Sequence, residues 1–519
     1  MLGVVAGAVV ASAGCSAGGS KGTAAADTVT IAIKEDPGSL DPHHSTRSAA
    51  LELARFAYDT LVHVDSEGKT VSGLAASWKQ SGSTYTFTLK DGASCADGTP
   101  VNAKVVADNL AYASDPKNES PLLGLAVPAK MKVTSEVKAG TVTIKADNPG
   151  AFFLEGLATV PIVCEAGLGN RRHLTTKTVG SGPYELTAAV PNDRYTYTLR
   201  DDYAWGPDGA SAKASSMPKT VVFRVVENET TTANMLLSND VQIGAVAGSD
   251  RKRMEGNDFF RRDVRNIAGE IFFNEASSRP TSDERVRRAL AMALNLGEVG
   301  KVLTSGFDTK ATGMITLEPR VCTADTVTGN LPKHDPAAAE SLLDRAGWKA
   351  GPSGIREKGG KKLSLDLLFG TSEATRATAA ELAIEQWKAI GVEVKPVGKT
   401  DAEVNTTLFN TGAWDMTWNT LQAQLPSQLV PFLSGATPGD GGTNFAHIDN
   451  RAYEGAAAKA AALPGPAGCD EWKKAETALI ERVDVVPYIG KTYPVWGRGV
   501  SFESTAFGIT PTSLQGRNG

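Results

Sequence analysis

Hydrophobic and polar positions alternate strictly along Thr84–Leu89, where Tyr85, Phe87 and Leu89 face one way and threonines the other. That period in β-favouring residues predicts a half-buried strand. Lys90-Asp91-Gly92 and Asp97-Gly98-Thr99-Pro100 then read as turns, and Asn102 as the cap of a helix from Ala103. Upstream, Trp78 is expected on a short helix or turn. Alternation also predicts strands at Thr28–Ile33 and at 141–144, 195–199, 221–226, 241–243, 363–367 and 392–397. Helical spacing joins Leu51, Ala54, Tyr58 and Leu61, and further helices are expected at 230–237 and 337–346. At 285–294 the apolar stripe is Val286, Leu290 and Ala293, with a basic opposite face. Ala380, Ile384 and Trp387 form another stripe, closed by Gly391. A strand, a helix and a strand from 363 to 397 form a βαβ unit with a parallel pair, and the pattern recurs in both halves. The expected fold class is α/β. The apolar run 152–163 reads as core packing.

At 519 residues the chain exceeds one ordinary core and should form two or three domains. Hydrophobic residues at 41% and charged residues at 21% are those of an ordinary globular protein, and a net charge of −5 argues against nucleic acid as a partner. Residues 2–13 are apolar but too short to span a bilayer, and no other apolar run reaches spanning length. Ala13-Gly14-Cys15, followed by a Gly/Ser-rich stretch, reads as a lipoprotein cleavage site with a flexible tether, although no Lys or Arg precedes it. Cys15 is therefore the expected lipidation site. Cys95, Cys164, Cys322 and Cys469 remain, and in an exported chain three pairings are open to them. None stands at metal-ligand spacing to another Cys or a His.

Catalytic patterns are weak. Ser216-Met217-Pro218-Lys219 matches S-x-x-K, but Pro218 opposes the helix that would bring Ser and Lys together. The glycines and lysines of 354–361 miss the P-loop register and read as a hairpin turn. Gly18-Gly19-Ser20-Lys21-Gly22 matches G-x-S-x-G without a flanking strand and helix. His43-His44 diverge on an extended loop and read as a hydrogen-bonded pair rather than metal ligands. No enzyme, metal or cofactor is expected. Binding remains, and Trp414 and Trp418, in a segment (412–433) rich in Asn, Gln and Thr, read as a pocket wall with orienting amides.

A family resemblance runs through the same residues. LAASW (74–78), TYTFTLKDG (84–92) and DGTPVNAKVV (97–106) resemble the signature of the family 5 extracellular solute-binding proteins, which serve ABC importers of peptides, nickel and other solutes. SLDPH (39–43), GSGPYEL (180–186), DERVRRAL (283–290) with the AMALN after it, and AGW (346–348) agree in the family's order. The resemblance covers about 28–505. It implies a two-lobed, periplasmic-binding-protein-like fold of type II in its large, cluster C form, with an inserted extra subdomain. The implied organisation is a signal and tether at 1–26, lobe I from 27–48, 171–268 and 480–519, the inserted subdomain at 49–170, and lobe II at 269–479. In these terms 269–274 is a crossover strand. Cys95–Cys164 and Cys322–Cys469 become the expected disulfides, because each pair then lies within one body and leaves the hinge free.

In relatives the cleft is lined by the loop after the first strand, here 35–40, and by the tryptophan-bearing segment. The implied ligand-binding residues are Glu35, Asp36, Ser39, Trp414, Trp418, Asn419, Gln422 and Gln424. Implied partners are a peptide or small-molecule ligand and the permease subunits of an importer, with the membrane reached only through the lipid anchor, on the outer face of the cell membrane. The protein is expected to act as a monomer and to deliver its ligand by hinge closure around it. Oligopeptide-binding relatives hold the peptide's ammonium with an Asp beyond the motif matching Trp414-Asp415-Met416. Here no Asp or Glu occurs between Asp415 and Asp440, and Gln424 stands near that position. Unless Glu35 or Asp36 compensates, the ligand is expected to be a blocked or modified peptide or a neutral polar solute. An exported hydrolase using the same cleft, or a surface sensor or adhesin of the same fold, are the rival readings.

Overall fold

The computed structural model describes residues 27–517 apart from 129–130, 148 and 214–215. Cys15 and its tether lie outside the described residues. A mixed sheet of 11 strands runs through both lobes in the order Glu393–Lys399, Ser364–Gly370, Met416–Trp418, Phe260–Phe273, Val485–Gly497, Ile243–Ala245, Thr28–Ile33, Thr220–Val225, Arg194–Leu199, Tyr184–Val190, with Asp308–Lys310 added on Val485–Gly497. Thr28–Ile33 lies parallel to Thr220–Val225, and Ser364–Gly370 parallel to Glu393–Lys399 across the helix Ala374–Ala389. The expected βαβ unit is present.

Phe260–Phe273 and Val485–Gly497 are the long strands that tie the lobes together, antiparallel from Phe260 opposite Gly497 to Phe272 opposite Val485. One end of the pair joins the first lobe, Ile243 opposite Gly497, and the other joins the second, Phe272 opposite Thr417. Between them the register breaks around Gly269. A bulge leaves local backbone unpaired and increases twist, and here it falls on the part of the ribbon between the two lobes. A Cβ at Gly269 would come within 2.4 Å of the Tyr488 ring, so only glycine lets the strands approach there. The crossing strand begins at Phe260, upstream of the expected 269, because the polar stretch FRRDVRN is held by its sheet partner rather than by alternation.

Separate cores define the bodies. Helix Ser48–Ala57 packs Phe56 against Tyr184, Tyr197 and Phe223 in the first lobe. The second lobe has a core on each sheet face, one around Trp387 and Leu290, the other around Trp414 and Phe445. A smaller body joins the antiparallel strands Ala75–Ser81, Thr84–Leu89, Thr141–Lys145 and Lys132–Glu136 to helix Ala103–Ser114 around Phe87 and Leu110. Asn102 caps that helix, accepting from the backbone N–H of Lys104 and Val105 at 2.9 and 3.1 Å.

Several local expectations change. Trp78 sits on the strand Ala75–Ser81 opposite Phe87, because the turn at Gly82 (φ +58) folds AASWKQS back onto its neighbour whatever its own propensity. The helix through Leu51 and Ala54 stops at Ala57, whose carbonyl accepts from Gly182 N at 2.9 Å, so Leu61 lies beyond it. Arg287, on the nominally basic face of Glu284–Ala293, is only 1% exposed and pairs with Asp484 and Glu275 at 2.9 and 3.2 Å.

The bridges Cys95–Cys164 and Cys322–Cys469 are present, with Cα atoms 6.2 and 5.3 Å apart. The first lies in the small body and the second in the second lobe, as the pairing expected.

Candidate functional site: the cleft between the lobes

The bodies touch at a few points. Phe152 of the small body stacks on Trp472 of the second lobe at 6.2 Å, and Gly465 N donates to Ala151 O. Ala506, in the C-terminal segment, donates to the Glu318 carbonyl at 3.0 Å. Gly68 (φ +83) lies so close to Arg320 that a Cβ would stand 2.3 Å from its carbonyl oxygen. These contacts enclose a chain of cavities.

One, of about 110 Å³, is walled by Arg55, Tyr58, Asp59 and His63, by Glu155 and Tyr203, by Pro319 and Gln424 of the second lobe, and by Thr505, Phe507 and Thr510. A second, of about 480 Å³, shares Thr505 and Phe507 and adds Leu51, Glu52, Leu317, Tyr493 and the crossing-strand residues Val264, Arg265 and Asn266. A third continues from Arg265 and Asn266 to Lys310, Thr316 and Arg320. The walls therefore come from both lobes, the small body and the crossing ribbon.

Burial sets the charges here. It raises the Asp59 carboxyl to about 6 despite the hydrogen bonds from Trp205, Ser181 and Tyr203. It lowers His63 to about 4, with the charge of Arg55 adding to the effect, so this imidazole is neutral at pH 7. Glu155 is likewise raised by burial.

Of the residues singled out from sequence, Gln424 lines the first cavity, its amide donating to the Pro319 carbonyl at 3.0 Å. Gln422 is exposed and donates to the Ile267 carbonyl of the hinge at 3.3 Å, while Asn419 is half-buried at the end of Met416–Trp418. The tryptophans are corrected as a joint pocket wall: Trp414 is fully buried against Phe445 in one second-lobe core, and Trp418 packs at 6.4 Å from Tyr488 in the other. Met416 and Trp418, two apart on the strand, share one face, whereas Trp414 precedes the strand and enters the core on the other face; both faces of this sheet are covered.

The loop after the first strand bonds within its own lobe. Asp36 accepts from Gly38 N, Asn192 N and the Tyr195 hydroxyl; burial opposes its ionisation, but these bonds prevail and hold its pKa below the usual value. Glu35 faces Arg47 at 3.7 Å, and Ser39 accepts from Asp41 N. Asp36 is thus fully engaged within its lobe, while Glu35 keeps an exposed carboxylate in a loose pair. His43 bonds to the Pro161 carbonyl and His44 to the Tyr112 hydroxyl. Among the described residues no group of three or more His, Cys, Asp or Glu side chains is placed to hold a metal.

Sequence reading passed over Arg55, His63, Glu155 and the hairpin 504–509. Arg55 had a signal: a cation flanked by Ala54 and Phe56, both buried.

Two α/β lobes are joined by a bulged ribbon, with cavities walled from both sides. The profile of the bacterial extracellular solute-binding proteins, family 5 middle region, matches residues 69–442, and the chain belongs to that family. The periplasmic murein peptide-binding protein MppA of Escherichia coli K12 is 26% identical over 516 residues, covering 90% of this chain and 89% of that one. The nickel-binding periplasmic protein of the same organism is 27% identical, covering 73% of each. Among solved structures, a substrate-binding protein of Microbacterium hydrocarbonoxydans complexed with 4-hydroxybenzoate hydrazide superposes with a TM-score of 0.68 at 26% identity, covering 94% of this chain and all (100%) of that one.

Proposed function

We propose that this chain is an extracytoplasmic, lipid-anchored receptor that captures a peptide-like solute and hands it to the permease of an ABC importer. The supporting observation is the hinge ribbon with cavities walled by both lobes. A solute touching both lobes binds the closed state better and shifts the population toward it. The action as a monomer and the anchor at Cys15 belong to the same reading, as does the division into two lobes and an inserted body, with helix Ser48–Ala57 moved from the inserted body to the first lobe in which it packs. The engagement of Asp36 within its own lobe, and the amide rather than acid at Gln424, favour a ligand that is not a short peptide held by its free ammonium.

Mass spectrometry of solutes released from the gently denatured protein, followed by re-addition under small-angle scattering, tests this. A recovered solute should reduce the radius of gyration. Absence of any solute, together with no compaction across a peptide and peptide-analogue library, would reject the receptor reading. Short unmodified peptides should bind weakly; tight binding lost on N-acetylation would reject the ligand class. Cys15→Ser should release the protein from the membrane.

A further inference from the structure

We propose that Arg55 anchors a carboxylate subsite within the first cavity, so that the solute carries an acidic group; this rests on the solute-binding reading above. Arg55 stands in the last turn of helix Ser48–Ala57 with its side chain directed into the cavity. Its guanidinium donates only to hydroxyls, Thr505 Oγ1 at 3.5 Å and Thr510 Oγ1 at 3.2 Å, and its Nε is buried without a partner. A guanidinium has five N–H donors, and a buried cation without a counter-charge is costly.

The acids nearby are committed elsewhere. Glu52, one turn earlier, is close enough for its charge and that of Arg55 to favour each other, but it forms no ion pair with the guanidinium; burial raises it to about 7, and it accepts from the Ile509 backbone N–H. Asp59 spends its oxygens on Ser181, Tyr203 and Trp205. Glu155 accepts from Thr70. Burial lowers the Arg55 pKa to about 10, which leaves it charged at pH 7. The missing group is therefore a small planar anion that accepts paired N–H donors, the geometry a carboxylate offers an arginine. Because Gln424 and Pro319 close the same cavity from the second lobe, an acid bound there adds a contact made only when the lobes are together.

Formate is small enough to probe the subsite alone. Titrated against chloride at constant ionic strength and pH 7, formate should raise the melting temperature of the wild type saturably. Arg55→Gln should weaken the apparent formate affinity by about tenfold or more, the loss of a charge-assisted pair, while Arg55→Lys retains part of it. An equal response in wild type and Arg55→Gln, or none in the wild type, overturns the subsite and leaves solute capture standing. Should Arg55→Gln fail to fold, wild-type crystals soaked in bromide give the decision: an anomalous peak beside Arg55 supports the site, and its absence removes it. Solute capture is tested separately, by recovered solute and compaction.

Discussion

Arg287 shows how one side chain organises the second lobe. It reaches from Glu284–Ala293 to Asp484, which Arg482 and Asn450 also contact, and Glu275 joins the same network. Removing one member of a buried ion network leaves charge without compensation, at about 3–5 kcal/mol. Arg287→Met should therefore lower the urea-unfolding free energy by about that much; a loss under about 1 kcal/mol would mean the network is dispensable. Glu270 titrates instead of pairing. Its Oε2 accepts from Leu421 N at 2.8 Å, its Oε1 has no partner, and burial raises the carboxyl to about 8. The folded state thus holds a proton that the unfolded state releases near 4.5. That stability is fully present below about pH 4.5 and is lost as pH rises to about 8, by up to about 1.4 kcal/mol per unit. Glu270→Gln carries no such proton, so its stability relative to wild type should improve steadily from pH 5 to pH 8. Parallel pH profiles for the two proteins would exclude this role.

Among the elements, the crossing ribbon is the one on which the proposed closure would depend. Its ends are pinned by sheet neighbours in different lobes, so bending in that closure should concentrate where the register breaks around Gly269. Gly269→Ala puts a methyl group against the Tyr488 ring, and relief of that overlap should cost about 1–3 kcal/mol. The same substitution should shift the open–closed balance, read as a changed radius of gyration without ligand. If scattering and melting temperature both match wild type, the hinge lies elsewhere.

For the molecule as a whole, each disulfide and the main apolar cores lie within single bodies. The disulfides close sequence separations of 69 and 147 residues, each worth about 4–5 kcal/mol in the chain-entropy view. Because each stays in one body, replacing either pair with serine should lower the melting temperature without changing ligand-induced compaction. A loss of compaction in the Cys322→Ser/Cys469→Ser protein would mean that this bridge shapes the cleft and not only the lobe. The cavities between the bodies are walled by apolar and polar side chains together, Leu51, Leu317 and Phe507 beside Arg55, Asp59 and Gln424.

The sequence by itself determined the local elements and the family. Alternation set Thr84–Leu89 and Thr28–Ile33, Asn102 set a helix start, and the βαβ unit across Ala374–Ala389 was legible because its periods are local and strong. Tertiary structure decided what periodicity cannot carry. Trp78 became a strand residue through its hairpin partner, Arg287 became buried because acids from distant segments converge on it, and Trp414 went into a core because both faces of its sheet are covered. The cavity around Arg55 draws its walls from segments as far apart as Tyr58, Glu155, Gln424 and Thr510. Such a site has no period in the chain; it exists only once separately folded bodies meet, which is the physical reason it could not be read from spacing.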